Sequence, residues 1–151
     1  MKWIDLPPVW TALFAAVMWS VKQIYSRPMP SEIVFVGWAL IAAGLAAIVW
    51  SVVTMQRART TPIPRQNPTA LVTSGPFQWT RNPIYMGDAM ILAGLALVWS
   101  VPLTLILIPV FISLITKRFI IGEEARLMRV FQNEFADWAA VTPRWVTKAP
   151  L

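Results

Sequence analysis

Residues 33–53 read IVFVGWALIAAGLAAIVWSVV, 21 consecutive positions without a charged side chain. At about 1.5 Å per helical residue such a stretch spans roughly 30 Å, the thickness of the hydrocarbon core of a bilayer. Upstream, residues 9–21 form a shorter apolar block opened by Pro7 and Pro8. Leu6 extends it at one end, while Lys22 can snorkel and Tyr25 can sit at the interface at the other. A second membrane crossing is expected there. The rival reading of that block, a signal peptide, finds no small-x-small cleavage site to support it. Downstream, residues 86–115 run for 30 positions interrupted only by Asp88, too long for one crossing and short of the roughly 40 needed for two. Trp99-Ser100-Val101-Pro102 places an interfacial aromatic and a proline in the middle of that run. A helical hairpin from about Tyr85 to Ile121 is therefore predicted, with Lys117 and Arg118 snorkelling at its end. The expected fold is all-α: a polytopic membrane protein of four transmembrane helices, forming one domain over residues 1–151.

Composition agrees with this reading. Of 151 residues, 57% are hydrophobic and 13% charged, about half the charged share of an average soluble domain. Cysteine and histidine are both absent, which excludes disulfide frameworks, thiol nucleophiles, imidazole acid–base chemistry and ordinary zinc sites; no metal is expected. Four crossings put Lys2, Arg57, Arg59, Arg65, Arg81, Lys117, Arg118, Arg126, Arg129, Arg144 and Lys148 on one side and only Lys22 and Arg27 on the other. Eleven against two is a positive-inside asymmetry, predicting that both termini and the middle loop are cytoplasmic, as in a multi-pass protein of a prokaryotic inner membrane. It also accounts for the net charge of +6 without nucleic acid, for which no separate basic domain remains. The nine tryptophans mostly flank the apolar blocks, as an interfacial belt requires. Gly37 and Gly44, and again Gly87 and Gly94, are seven apart and share a helix face suited to close packing.

Two cytoplasmic segments are not explained by membrane spanning. The loop from Gln56 to Pro83 carries Pro62, Pro64, Pro68, Pro76 and Pro83, too many for a helix, and is long for a structureless connection. After Gly122, Leu127, Met128, Phe131, Phe135 and Trp138 recur at helical spacing opposite Glu124, Arg126, Arg129, Glu134 and Asp137, which predicts an amphipathic helix. Chain that leaves the cytoplasm at Tyr85 returns near Ile121. The hairpin should therefore bring Arg81, Asn82 and Tyr85 close to Glu123 and Glu124 at one membrane face. Arg81 suits a carboxylate or phosphate. Asp88, about one turn inside a membrane helix, is either functional or a packing partner. Glu123 and Glu124 also have a plain reading as acids at a helix start, favoured by the macrodipole. Neither a phosphate loop nor a dinucleotide fingerprint occurs.

Residues 71–87, LVTSGPFQWTRNPIYMG, resemble the signature of the isoprenylcysteine carboxyl methyltransferase and phospholipid methyltransferase superfamily. That signature is Leu-Val-x-x-Gly-Pro-aromatic followed by Arg-His/Asn-Pro-x-Tyr-x-Gly. A second match runs through Glu123-Glu124-x-x-Leu127, Phe131, Phe135 and Trp138 to Val141-x-Pro143-Arg144-Trp145, so the resemblance covers about residues 54–146. It implies an integral-membrane methyltransferase that uses S-adenosylmethionine and a lipophilic, membrane-embedded acceptor bearing a carboxylate, amine or thiol. The loop, the glutamate pair and the C-terminal segment would form the cofactor site. Carried over by position, Asn82 and Tyr85 would contact the amino-acid end of the cofactor, Glu123 and Glu124 polar groups of cofactor or acceptor, and Leu71, Val72 and Gly75 would line the pocket. Arg81, Glu123, Glu124 and Asp88 are the expected catalytic group. Asn82 stands where many members have histidine, Phe135 and Trp138 replace a tyrosine pair, and Ile121-Gly122 replaces a frequent arginine. These departures speak against a prenylcysteine substrate of the eukaryotic kind. Two other readings fit the topology: an NADPH-linked membrane reductase, although the extra helices of such enzymes are lacking, and a non-enzymatic membrane partner protein.

Overall fold

The computed structural model describes residues 6–61 and 68–146; Lys2, Trp3, Pro62, Pro64, Arg65 and Lys148 lie outside the described residues. Five helices follow in order: α1 (Pro7–Ile24), α2 (Ser31–Arg57), α3 (Pro83–Val98), α4 (Leu107–Ile115) and α5 (Ile121–Val141). Turns of 3-10 helix at Gly75–Gln78 and Pro102–Ile106 and a π turn at Thr116–Ile120 complete them, with no strand among the described residues. Proline opens both α1 and α3, where its fixed φ suits a helix and its missing N–H costs nothing. The predicted hairpin forms. After Val98 the chain reverses through Ser100 at φ 59, and the Trp99, Ser100 and Val101 N–H groups donate back to the carbonyls of Leu95, Leu97 and Ala96.

By length and composition two helical runs can cross a membrane, Ser31–Arg57 and the continuous run Pro102–Val141, while Pro83–Val98 is a shorter apolar helix. The most apolar window of α2 has a mean hydropathy of 2.4, yet only 11% of it is buried. Phe35, Trp38, Leu45 and Val49 all point outward. A core helix of a soluble protein would be covered, and water tolerates no patch of that size. Lipid is the solvent that suits such a surface.

The structure departs from the sequence reading beyond Ile115. No separate helix begins after Gly122. Ile115, Ile120 and Ile121 all keep right-handed helical angles, so the 3-10 turn at Pro102–Ile106, α4, the π turn and α5 form one 40-residue run. Glu123 and Glu124 therefore do not sit at a free helix end, since the N–H groups around them follow a helical turn, and the macrodipole reading of the pair loses its physical basis. The amphipathic segment is also broken. Gln132 adopts φ 44 and ψ −114, a strained left-handed conformation for a residue with a side chain. Beyond that kink Phe135 is buried, and Trp138 donates its indole N–H to the Phe77 carbonyl at 3.2 Å.

One core joins Met18 of α1, Leu92 of α3, Phe111 and Ile115 of α4, Phe119 and Ile120 of the π turn and Trp145 of the C-terminal segment. Phe14 meets Phe111 edge-on at 5.3 Å. Packing of α2 on α3 is of a different kind. A Cβ on Gly94 would lie 2.5 Å from the Gly37 carbonyl oxygen, and one on Gly44 would lie 2.6 Å from that of Gly87. The two backbones touch where the four glycines face each other. Gly94→Ala is expected to destabilise the protein by about 1–3 kcal/mol. Gly122→Ala, where nothing lies within 4 Å of the new methyl, should be neutral or stabilising by up to about 1 kcal/mol. Thermal unfolding in detergent measures both, and equal losses would contradict the close-approach reading.

Candidate functional site

The hairpin closes on one hydrogen bond. Tyr85, in the first turn of α3, donates its hydroxyl to Glu123 Oε1 at 2.8 Å, across 38 residues of chain. Glu124, the next residue, points to a different neighbour. Its Oε1 lies 3.0 Å from Arg81 Nη1 and accepts from Arg144 Nε at 3.0 Å, while its Oε2 accepts from Arg144 Nη2 at 2.6 Å. One carboxylate thus holds two guanidiniums, bidentately toward Arg144.

Backbone contacts reinforce this clasp. The Arg81 N–H donates to the Pro143 carbonyl at 2.9 Å. The Thr80 hydroxyl and the Asn82 amide both donate to the Arg144 carbonyl at 3.0 Å. Asn82 occupies the N-cap position of α3 without capping it by its side chain, although Asn is a preferred cap. Its amide is spent on the C-terminal segment instead. The Trp145 indole donates to the Thr116 hydroxyl in the π turn at 3.1 Å, so residues 143–145 are fastened at both the loop and the membrane helix.

Burial pushes the Arg81 guanidinium below its ordinary pKa, with Glu124 opposing and Arg144 adding to the shift. Arg144 is pushed up, first by its hydrogen bonds with Glu124. Both groups remain cationic at any physiological pH. Arg81 Nε is buried and has no hydrogen-bond partner among the described residues.

Two cavities meet at this corner. The larger, about 450 Å³, lies between the start of α1, the second half of α2 and the start of α3, and its walls include Pro7, Val52, Met55, Tyr85, Asp88 and Arg126. The smaller, about 120 Å³, is walled by Thr60, Leu71, Val72, Glu124, Phe135 and Trp138. Phe77, Arg81, Asn82, Glu123 and Leu127 line both. In the larger cavity Asp88 is buried in the α3 wall, where Thr11 of α1 meets its carboxyl.

A family model described as phospholipid methyltransferase matches residues 33–134, which is more than half of the chain. The chain belongs to the phospholipid methyltransferase family. No curated protein and no solved structure matches it significantly. Membership points to methyl transfer onto membrane lipid-type substrates, and with the two apolar helical runs it makes this a membrane protein. The matched span begins in α2 and ends in α5, so it contains Arg81, Tyr85, Asp88 and the glutamate pair but neither α1 nor Arg144.

Within this phospholipid methyltransferase fold, the residues singled out from sequence separate by position. Arg81, Asn82, Tyr85, Asp88, Glu123 and Glu124 converge on the cavities, and Leu71 and Val72 line the smaller one. Gly75 does not. It turns the chain at φ 59, and a Cβ there would lie 3.1 Å from the Thr54 hydroxyl and 3.3 Å from Trp50 Nε1, so it packs on α2 and lines neither cavity. Trp138, expected on the apolar face of an amphipathic helix, and Trp145, expected only as part of the tryptophan belt and the motif, are both hydrogen-bonded inside the site. The role of Arg144 was missed as well; its position beside Trp145 at the end of the motif was the available signal. The two glutamates are unequal in stability terms. Glu124→Gln leaves two guanidiniums without a counter-ion and should cost about 2 kcal/mol, between the surface and buried limits for an ion pair. Glu123→Gln keeps an oxygen for the Tyr85 hydroxyl and should cost less than about 1 kcal/mol. Thermal unfolding of the two variants in detergent checks the order, and a reversed order would contradict it.

Proposed function

We propose that this protein transfers a methyl group from S-adenosylmethionine to a lipophilic acceptor that reaches the site from within the bilayer. It does so in a four-pass arrangement with both termini in the cytoplasm. The observation that carries this reading is the meeting of a polar corner, Arg81–Glu124 and Tyr85–Glu123, with an apolar cavity between α1, α2 and α3. At 16 residues, Tyr85 included, α3 spans about 24 Å, and Arg81 just before it extends the crossing at its cytoplasmic end.

The donor set suits a zwitterionic, partly apolar ligand. Arg81 and the second N–H of the Asn82 amide, beside the one given to the Arg144 carbonyl, can take a carboxylate, Glu123 an ammonium, and Leu71, Val72, Phe77 and Leu127 an apolar ring. The smaller cavity falls below the usual range of about 300–1,000 Å³ for ligand sites and the larger falls within it. The cofactor therefore belongs at the junction that both share. S-adenosylmethionine, when bound, would supply a sulfonium methyl that a nucleophile takes in line as the S–CH3 bond breaks and S-adenosylhomocysteine leaves as the neutral thioether. The chain itself need only align the nucleophile and keep water away, and orientation can supply roughly 7–11 kcal/mol of such a barrier. Asp88 and Glu123 put two carboxylates on the larger cavity. They repel a carboxylate acceptor and favour an amine, whose proton either could accept on leaving. Tyr85 holds Glu123 in place through its hydrogen bond to Oε1.

The experiment is transfer of radiolabel from S-adenosylmethionine into native membrane extract by the purified protein, followed by phase partition. Label in the organic phase is expected, reduced at least tenfold, about 1.4 kcal/mol, in Glu123→Gln. Label confined to water-soluble products would overturn lateral arrival of the acceptor, and no transfer into either phase would overturn the methyltransferase reading.

A further inference from the structure

Arg144 lies beyond the span matched by the family model, yet it is the residue most tightly bound to Glu124. It takes both carboxylate oxygens, at 3.0 and 2.6 Å, and leaves Arg81 a single contact through Nη1, on the oxygen that Arg144 Nε already uses. Two cations therefore share one anion, and the trio carries one uncompensated positive charge in a corner that is largely buried. Arg81 is the member that borders both cavities. Its Nε finds no partner among the described residues, and a buried donor left unpaired costs about 1–3 kcal/mol. Nor can Arg81 follow Glu124 by moving its backbone. Its own N–H is held by the Pro143 carbonyl and the neighbouring Asn82 side chain by the Arg144 carbonyl.

With Arg144 removed, the fork geometry of a guanidinium favours a second contact between Arg81 and the vacated Glu124 oxygen. Arg81 would then turn toward Glu124, become neutralised, and lose its capacity for an anion in the cavities. We propose that Arg144 is a positioning residue: by occupying Glu124 bidentately it keeps Arg81 under-neutralised and turned to the cavity junction, where Arg81 receives the carboxylate of the cofactor. Glu124 then serves the site by holding two arginines rather than by touching the ligand. The inference rests on the S-adenosylmethionine reading above, and it assigns one ligand group to one side chain.

Isothermal titration of the detergent-solubilised protein with S-adenosylhomocysteine, and with its decarboxylated analogue, tests it. Wild type should prefer S-adenosylhomocysteine by at least tenfold. Arg81→Gln and Arg144→Gln should each abolish most of that preference, and the double variant should lose no more than the weaker-binding single one, the mark of two residues acting as a unit. Arg144→Lys retains the charge but not the fork. It should lose at least threefold for S-adenosylhomocysteine and nothing for the analogue, which keeps the test decisive where the glutamine variant does not fold. Equal losses for both ligands in the Arg144 variants would make the residue merely structural, and additive losses for the two arginines would place Arg144 on the ligand itself. Either result overturns the proposal. Failure of wild type to bind either ligand would instead overturn the cofactor reading on which it rests.

Discussion

Direct backbone contact between α2 and α3 is the constraint on which the other distances depend. Gly87 lies between Tyr85 and Asp88, and it faces Gly44 so closely that neither can carry a Cβ without a clash. This contact fixes the start of α3 against the second half of α2, where Ile48, Val52 and Met55 form one wall of the larger cavity. A side chain at any of the four glycines would push α3 outward and widen the space that Tyr85 must cross to reach Glu123. In a lipid environment there is no hydrophobic drive to hold helices together, so close van der Waals contact of small residues has to supply it.

From that fixed point the site is closed by charge rather than by further packing. The hairpin returns the chain to Glu123 and Glu124, and the two adjacent side chains diverge: one to the phenol of Tyr85, the other to a pair of guanidiniums. The loop and the C-terminal segment, separated by more than 60 residues of chain, are tied by the Thr80, Asn82 and Trp138 hydrogen bonds. Polar groups dominate at the corner where the loop, α3 and α5 meet, and apolar ones where the larger cavity opens between α1 and α2. A molecule with a polar reactive end and an apolar body fits that division.

Much of this was legible in the sequence because membrane length and hairpin topology leave few alternatives. Twenty-one uncharged residues allow one structure in lipid, and a 30-residue apolar run broken by Trp99-Ser100-Val101-Pro102 must double back, which places Tyr85 beside Glu123 without any knowledge of contacts. What stayed hidden depended on side-chain direction. Adjacent glutamates look alike in a sequence, yet helical geometry turns them about 100° apart, and only the fold shows that Glu124 is consumed by Arg144. The continuity of α4 with α5 through the π turn was equally unreadable, since Ile121-Gly122 has the composition of a boundary. Gly75 resembled a pocket residue, whereas its left-handed turn serves a contact with Trp50 and Thr54.

The central claim is that the corner formed by Arg81, Asn82 and Glu123 receives S-adenosylmethionine. Titration of the purified protein in detergent with S-adenosylhomocysteine and, separately, with NADPH tests it most directly. Saturable binding of S-adenosylhomocysteine with none of NADPH is the predicted result; saturable binding of NADPH, or of neither, would contradict it.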